Sequence, residues 1–288
     1  MLRITRVSFP GLGIGEFRLN SVAFTVFGHP IAWYGIIITT GIILATLYVL
    51  YRARHEHIPA DDIIDLGIYV IFFGVLGARM YFVLTSLRLF DSFWDIFKIW
   101  EGGLAIYGGV IAGALTIIIF CRIKKRDFLQ FFDMVAPAVM IGQMVGRWGN
   151  FMNGEAHGGI TDIFCRMGLA YGEYGKMYYY HPTFIYEALW NLLGFILINL
   201  FYKKKRYNGQ IAFMYFAWYG FGRMLIEQLR TDSLYILAGV FGEQWFLKIS
   251  SLVGLFSFLI FGGLLLYHAI KKTRRATAFH TADGQKIQ

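Results

Sequence analysis

Gly146-Arg147-Trp148-Gly149-Asn150-Phe151-Met152-Asn153-Gly154-Glu155 sets an arginine, two asparagines and a glutamate among three glycines, between long apolar segments. Glycine lets backbone approach backbone or ligand closely, and arginine offers a rigid fork of donors suited to phosphate or carboxylate. Lipid-facing sequence does not carry such groups, because each unpaired polar atom in hydrocarbon costs several kcal/mol. Two readings stand at this point: a polar hairpin joining two helices, or a functional site at the membrane surface.

The sequence around this stretch has a membrane composition. Of 288 residues 57% are hydrophobic and only 16% charged, outside the range of soluble domains. About twenty apolar residues cross a bilayer as a helix. Runs of that kind occupy 31–51, 63–84, 104–120, 131–145 (weakened by Pro137), 183–202, 211–229 and 246–269. The fold expected is therefore all-α, a polytopic membrane protein with a bundle of seven transmembrane helices. The net charge of +9 gives no reason to invoke nucleic acid, since the basic residues cluster beside the spans.

Those clusters set the orientation, because basic loops remain cytoplasmic. Arg52 and Arg54 follow the first span, Arg122 to Arg126 the third, Lys203 to Arg206 the fifth and Lys271 to Arg275 the seventh. This alternation puts the N-terminus outside and the C-terminus in the cytoplasm. A single transmembrane catalytic domain is expected over 1–272, with an extracytoplasmic arm at 1–30, an outer loop at 147–182 and a polar cytoplasmic tail at 273–288. The first span reads as an uncleaved signal. No GxxxxGK[ST], CxxC or HExxH pattern occurs, so no cofactor or metal is expected.

Other polar groups recur at the outer ends of the spans. Trp33-Tyr34-Gly35 opens the first, where an aromatic belt accounts for the rings without any function. Glu101-Gly102-Gly103 and Tyr107-Gly108-Gly109 open the third, where small residues also serve helix packing. In the sixth span Tyr219, Arg223, Glu227 and Arg230 are spaced by four, four and three, along one helix face. They read either as an internal Arg223–Glu227 pair or, with Arg147, as a two-arginine phosphate site. His181-Pro182-Thr183 with Tyr186 and Glu187 reads as structural, and Arg79 as the partner of a carboxylate such as Glu101 or Glu155.

Taken together these motifs resemble the bacterial prolipoprotein diacylglyceryl transferases over nearly the whole chain, and GRxGNFxNxE is the most specific of them. The resemblance implies transfer of diacylglyceryl from phosphatidylglycerol to the lipobox cysteine thiol of a prolipoprotein signal peptide. A thioether forms and glycerol phosphate is released, in the bacterial cytoplasmic membrane, with the active site towards the outer face. It implies Arg147, Asn150, Gly154, Tyr34 and Arg223 as phosphatidylglycerol-binding residues. It implies Arg147, Arg223, Glu155, Tyr107 and Glu227 as the catalytic set. Where some members carry histidine before the second glycine pair, this chain has Tyr107. With an ordinary pKa of about 10, tyrosine is a poor base at neutral pH. Arg147 and Arg223 would instead favour the thiolate, with Glu155 or Glu227 as candidate proton acceptors. The rival class is a transporter or channel for an anionic solute, against which the lack of internal repeats counts.

Overall fold

The computed structural model describes residues 4–90, 92–172, 174–231, 235–236 and 247–284. Helices α1 (Trp33–His55), α2 (Ala60–Thr85), α3 (Ile106–Ile123), α4 (Phe128–Asn153) and α5 (Thr183–Tyr202) are each long and apolar enough to cross a membrane. So is the stretch Ile249–Lys271 of α7 (Ile249–Gly284). That makes six among the described residues, while α6 (Gln210–Ile226) has 17 residues and ends in a 3₁₀ turn, Glu227–Leu229. Pro137 lies inside α4 without ending it, as membrane helices tolerate when neighbours satisfy the freed backbone.

The expectation of an all-α chain is corrected by a four-stranded antiparallel sheet. Strands β1 (Ile4–Phe9) and β2 (Ile14–Asn20) form a hairpin, followed by a second hairpin of β3 (Val22–Val26) and β4 (His29–Ala32) that leads into α1. The order is β2-β1-β5-β6, where β5 (Met167–Tyr171) and β6 (Tyr178–Tyr180) come from the connection between α4 and α5. Thr5 pairs with Tyr171 and Ser8 with Gly168. Alternate side chains of these strands face one way, so Val7, Phe9, Leu19, Met167 and Leu169 bury together with Phe184 of α5. Phe151 of α4 stacks on Phe184 at 4.7 Å, which fixes the sheet against the ends of both helices.

The chain divides into two compact units. The first, 1–45 with 136–288, contains the sheet and α5 to α7. Its helices approach closely at glycines. Gly220 of α6 and Gly254 of α7 lie against each other's carbonyls, so a Cβ on either would collide with backbone. Between α5 and α6, Trp190 and Trp218 stack at 4.3 Å, and each indole donates to the other's carbonyl at 3.0–3.1 Å. Each ring also covers a glycine of the facing helix, Gly222 and Gly194 respectively.

The second unit, 46–135, is built on α2 and α3, where Gly77 and Gly108 bring the two backbones together. Asp62 at the start of α2 accepts from Arg126 at 3.1 Å and pairs with Lys124 at 3.0 Å. That carboxylate holds the exposed Lys124 ammonium above its ordinary pKa.

The glycine at the tryptophan lock gives a direct test of packing. A Cβ at Gly222 would fall within the Trp190 ring, so Gly222→Val should cost about 1–3 kcal/mol. Thermal unfolding in detergent should show the lowered midpoint. Gly262→Val, at a position with open space around it, should show no loss of that size.

Candidate active site

The signature stretch turns out to be the last turns of a helix and its cap. Helix α4 continues to Asn153, so Arg147 to Asn153 are helical where a loop starting at residue 147 was expected. Gly154 then takes a left-handed φ of 65°. Its N–H donates to Phe151 O at 2.9 Å, while that of Glu155 donates to Asn150 O at 3.1 Å. These two bonds are the paired closure of a helix ended by a glycine. A side chain at Gly154 would be strained by that φ and would press on Thr5 of β1. The carbonyl of Gly154 accepts from the Tyr171 hydroxyl at 2.7 Å.

This cap aims the polar side chains. Asn150 and Asn153 both donate to Glu155 Oε1 at 3.1 Å. Asn150 Oδ1 in turn accepts from Arg147 Nη1 at 3.4 Å. Tyr34 of α1 packs on Gly149, one turn from Asn153, within electrostatic reach of Glu155 and Arg147.

Arg147 also pairs with Glu187 on the second turn of α5. The side chain of Glu187 is only 5% exposed and is met by two further arginines, Arg223 at 3.3 Å and Arg230 at 2.7 Å. Arg223 divides its fork, because its other nitrogen pairs with Glu227 at 2.7 Å, one turn further along its helix. The carbonyls at the end of this segment point at another cation. Lys248 Nζ donates to Glu227 O at 2.7 Å and to Arg230 O at 2.8 Å. A cation there also suits the negative end of α6. Among the described residues the cluster holds three guanidinium groups and two carboxylates, a local field suited to an anion.

Tyr34, Arg147, Asn150, Gly154, Glu155, Arg223 and Glu227 are thus joined in one unit by packing, hydrogen bonds and ion pairs. Tyr107 belongs to the other unit, in the first turn of α3, its ring 6.4 Å from that of Tyr81. Arg79 requires a correction. Its guanidinium donates to the carbonyls of Asp95, Ile96 and Gly102 at 2.7 Å and of Gly103 at 3.1 Å, so backbone oxygens serve as its acceptors where a carboxylate such as Glu101 or Glu155 was expected. Glutamate 187, expected to be structural, is the hub of the cluster, and Arg230 and Lys248 belong with it. An acid inside an apolar span was the available signal for Glu187. Nothing in the local pattern marked Lys248.

A polytopic membrane protein with a buried arginine–glutamate cluster beside a capped GRxGNFxNxE helix is the class that fold and site define. The family model for prolipoprotein diacylglyceryl transferase matches residues 21–267. The chain is 44% identical to phosphatidylglycerol–prolipoprotein diacylglyceryl transferase 1 of Clostridium perfringens over 76% of its own length and 86% of the relative's. It is 39% identical to the corresponding transferase of Listeria welshimeri, covering 90% of this chain and 94% of the other. With that of Thermotoga petrophila it shares 37% identity, over 85% and 86% of the two lengths. The chain belongs to the prolipoprotein diacylglyceryl transferase family.

The geometry makes Glu187 the costliest side chain of the cluster to neutralise. Removing one partner of a buried pair leaves an uncompensated charge and typically costs about 3–5 kcal/mol. Glu187→Gln should reach that range in thermal unfolding, since three guanidinium groups lose one neutralising charge together. Arg230→Gln should cost less, because Arg147 and Arg223 still neutralise Glu187.

Proposed function

We propose that this protein transfers the diacylglyceryl group of phosphatidylglycerol to the lipobox cysteine of prolipoproteins, the first step of bacterial lipoprotein maturation. The single observation that carries the reading is the convergence of Arg147 and Arg223, from two different helices, on one buried carboxylate next to the GRxGNFxNxE cap. Family membership supplies the reaction. As a transferase it joins the cysteine sulfur to the glyceryl carbon and breaks that carbon's bond to the phosphate oxygen. Glycerol phosphate leaves with the bonding electrons.

Such a displacement needs donors aimed at the departing phosphate and a means of forming thiolate. A free thiol has a pKa of about 8.5, so little thiolate exists at neutral pH without help. In this proposal Arg147 and Arg223 hold the phosphate and stabilise its growing charge, and Glu187 holds their forks in place. Asn150, Gly154 and Tyr34 line the headgroup position. Glu155 and Glu227 carry charge that balances the arginines, and Tyr107 keeps the place in the catalytic set that the family resemblance gives it. Seven spans, with an outer N-terminus and a cytoplasmic tail at 273–288, put this site on the outer face of the cytoplasmic membrane. The alternation of basic connections supports that topology. An anion pathway lined by the same arginines is the less favoured reading, since it makes no use of the family's chemistry.

Mixing the purified protein with phosphatidylglycerol and a lipobox cysteine peptide tests the reading by mass spectrometry. Lipidated peptide and glycerol phosphate should appear together, and anion flux without peptide modification would support the pathway instead. Arg147→Lys should lower transfer by about tenfold or more despite keeping its charge, because a point ammonium cannot replace a two-pronged fork. Cysteine labelling in whole cells should place residue 203 inside and residue 172 outside.

A further inference from the structure

Among the described residues, no donor gives a proton to one ring nitrogen of the residue two places beyond Glu155. His157 sits half-buried, its ring over Tyr180 of β6 at 4.2 Å. Its Nδ1 lies 3.0 Å from the carbonyl of Gly158. A carbonyl can only accept, so Nδ1 carries the proton of the neutral ring and Nε2 carries the lone pair. The neighbour of Nε2 is the Tyr171 hydroxyl at 3.5 Å. That hydroxyl has one hydrogen, and it goes to Gly154 O at 2.7 Å. The lone pair on Nε2 therefore has no proton to share from Tyr171. Once Nε2 is protonated, the Tyr171 oxygen is placed to accept from it.

The backbone around His157 ties this ring to both halves of the site. On one side Gly154, whose carbonyl takes the Tyr171 hydrogen, is the cap that orients Asn150 and Glu155. On the other, Thr231 Oγ1 donates to His157 O at 3.4 Å, and Gly158 is bridged to Arg230. Arg230 reaches Glu187 at 2.7 Å. Gly159 N–H donates to Leu229 O at 2.9 Å, which holds the loop against the end of the α6 segment. A left-handed Ala156 (φ 57°), its carbonyl bonded to Thr183 Oγ1 at 2.7 Å, turns the chain between Glu155 and His157.

We propose that His157 Nε2 is the general base that takes the thiol proton in the reaction proposed above. The inference rests on that reading. The S–H proton passes to Nε2 and the sulfur pair forms the bond to the glyceryl carbon. The carbon–oxygen pair departs with glycerol phosphate, and the imidazolium then returns its proton to the released phosphate or to water. Tyr107 is relieved of a role that its chemistry fits poorly, and the glutamates remain counter-charges.

The test compares two nucleophiles in one assay. His157→Asn keeps an N–H able to reach the Gly158 carbonyl but removes the base. With a cysteine peptide its transfer rate should fall about a hundredfold, within the usual range for loss of general-base catalysis. With a selenocysteine peptide, whose selenol is already ionised at neutral pH, variant and parent should agree within about threefold. Parent-like transfer to the cysteine peptide by His157→Asn would overturn the proposal. So would an equal loss with both peptides, which would assign His157 to packing or headgroup binding. Failure of the unaltered protein to modify either peptide would instead remove the transferase reading, and this inference with it.

Discussion

A carboxylate on the second turn of an apolar helix cannot remain alone in a membrane, and the arrangement of the site follows from how Glu187 is neutralised. Three arginines reach it: one from the end of α4, one from α6 and one from the segment just beyond α6. Each is itself too polar for lipid, so acid and bases hold one another in place. The result fixes three separate parts of the chain around one oxygen pair. It also leaves guanidinium donors on a common centre, the arrangement that a phosphate ester requires. Stability and chemistry draw here on the same atoms, and a change that relaxes one disturbs the other.

Much of this was legible from residue types alone. Six of the seven expected span positions followed from apolar runs, and the i, i+4 spacing of Arg223 and Glu227 anticipated an ion pair that the structure contains at 2.7 Å. The sheet was not legible, for a physical reason. Strand β1 is six residues long and pairs with a strand more than 150 residues away, so no local turn announces the partnership. The β1–β2 turn, Pro10-Gly11-Leu12-Gly13, was nearer to readable, with Gly13 in the left-handed region. Glu187 was visible as an intramembrane acid but not as a hub, because its three partners are set by tertiary packing. Arg79 was legible as a buried arginine in need of acceptors but not which ones, and carbonyls of a tightly wound loop serve as well as a carboxylate.

The glycines divide into two kinds of work. Gly154 answers a backbone demand, the left-handed closure of α4, and its neighbours inherit their direction from it. Gly194, Gly220 and Gly222 answer a demand for room, where indole or backbone from the facing helix occupies the space of a side chain. The first kind places functional groups. The second permits the close helix packing on which arginines from different helices depend to meet at one glutamate.

The position of β1 in the middle of its sheet bears on biosynthesis. Strand β1 is made well before β5, so one of its two edges has no partner until residues 167–171 have been translated and four spans have been threaded into the bilayer. Thr5, which lies over Gly154, likewise waits for the signature to arrive. Pairings between such distant segments are slow to form, because a long loop must close before any contact compensates for it. The cap over the α4 terminus is therefore a late event in maturation of the protein itself. A nascent chain halted before residue 167 would hold its membrane anchors without the sheet that orients its polar groups.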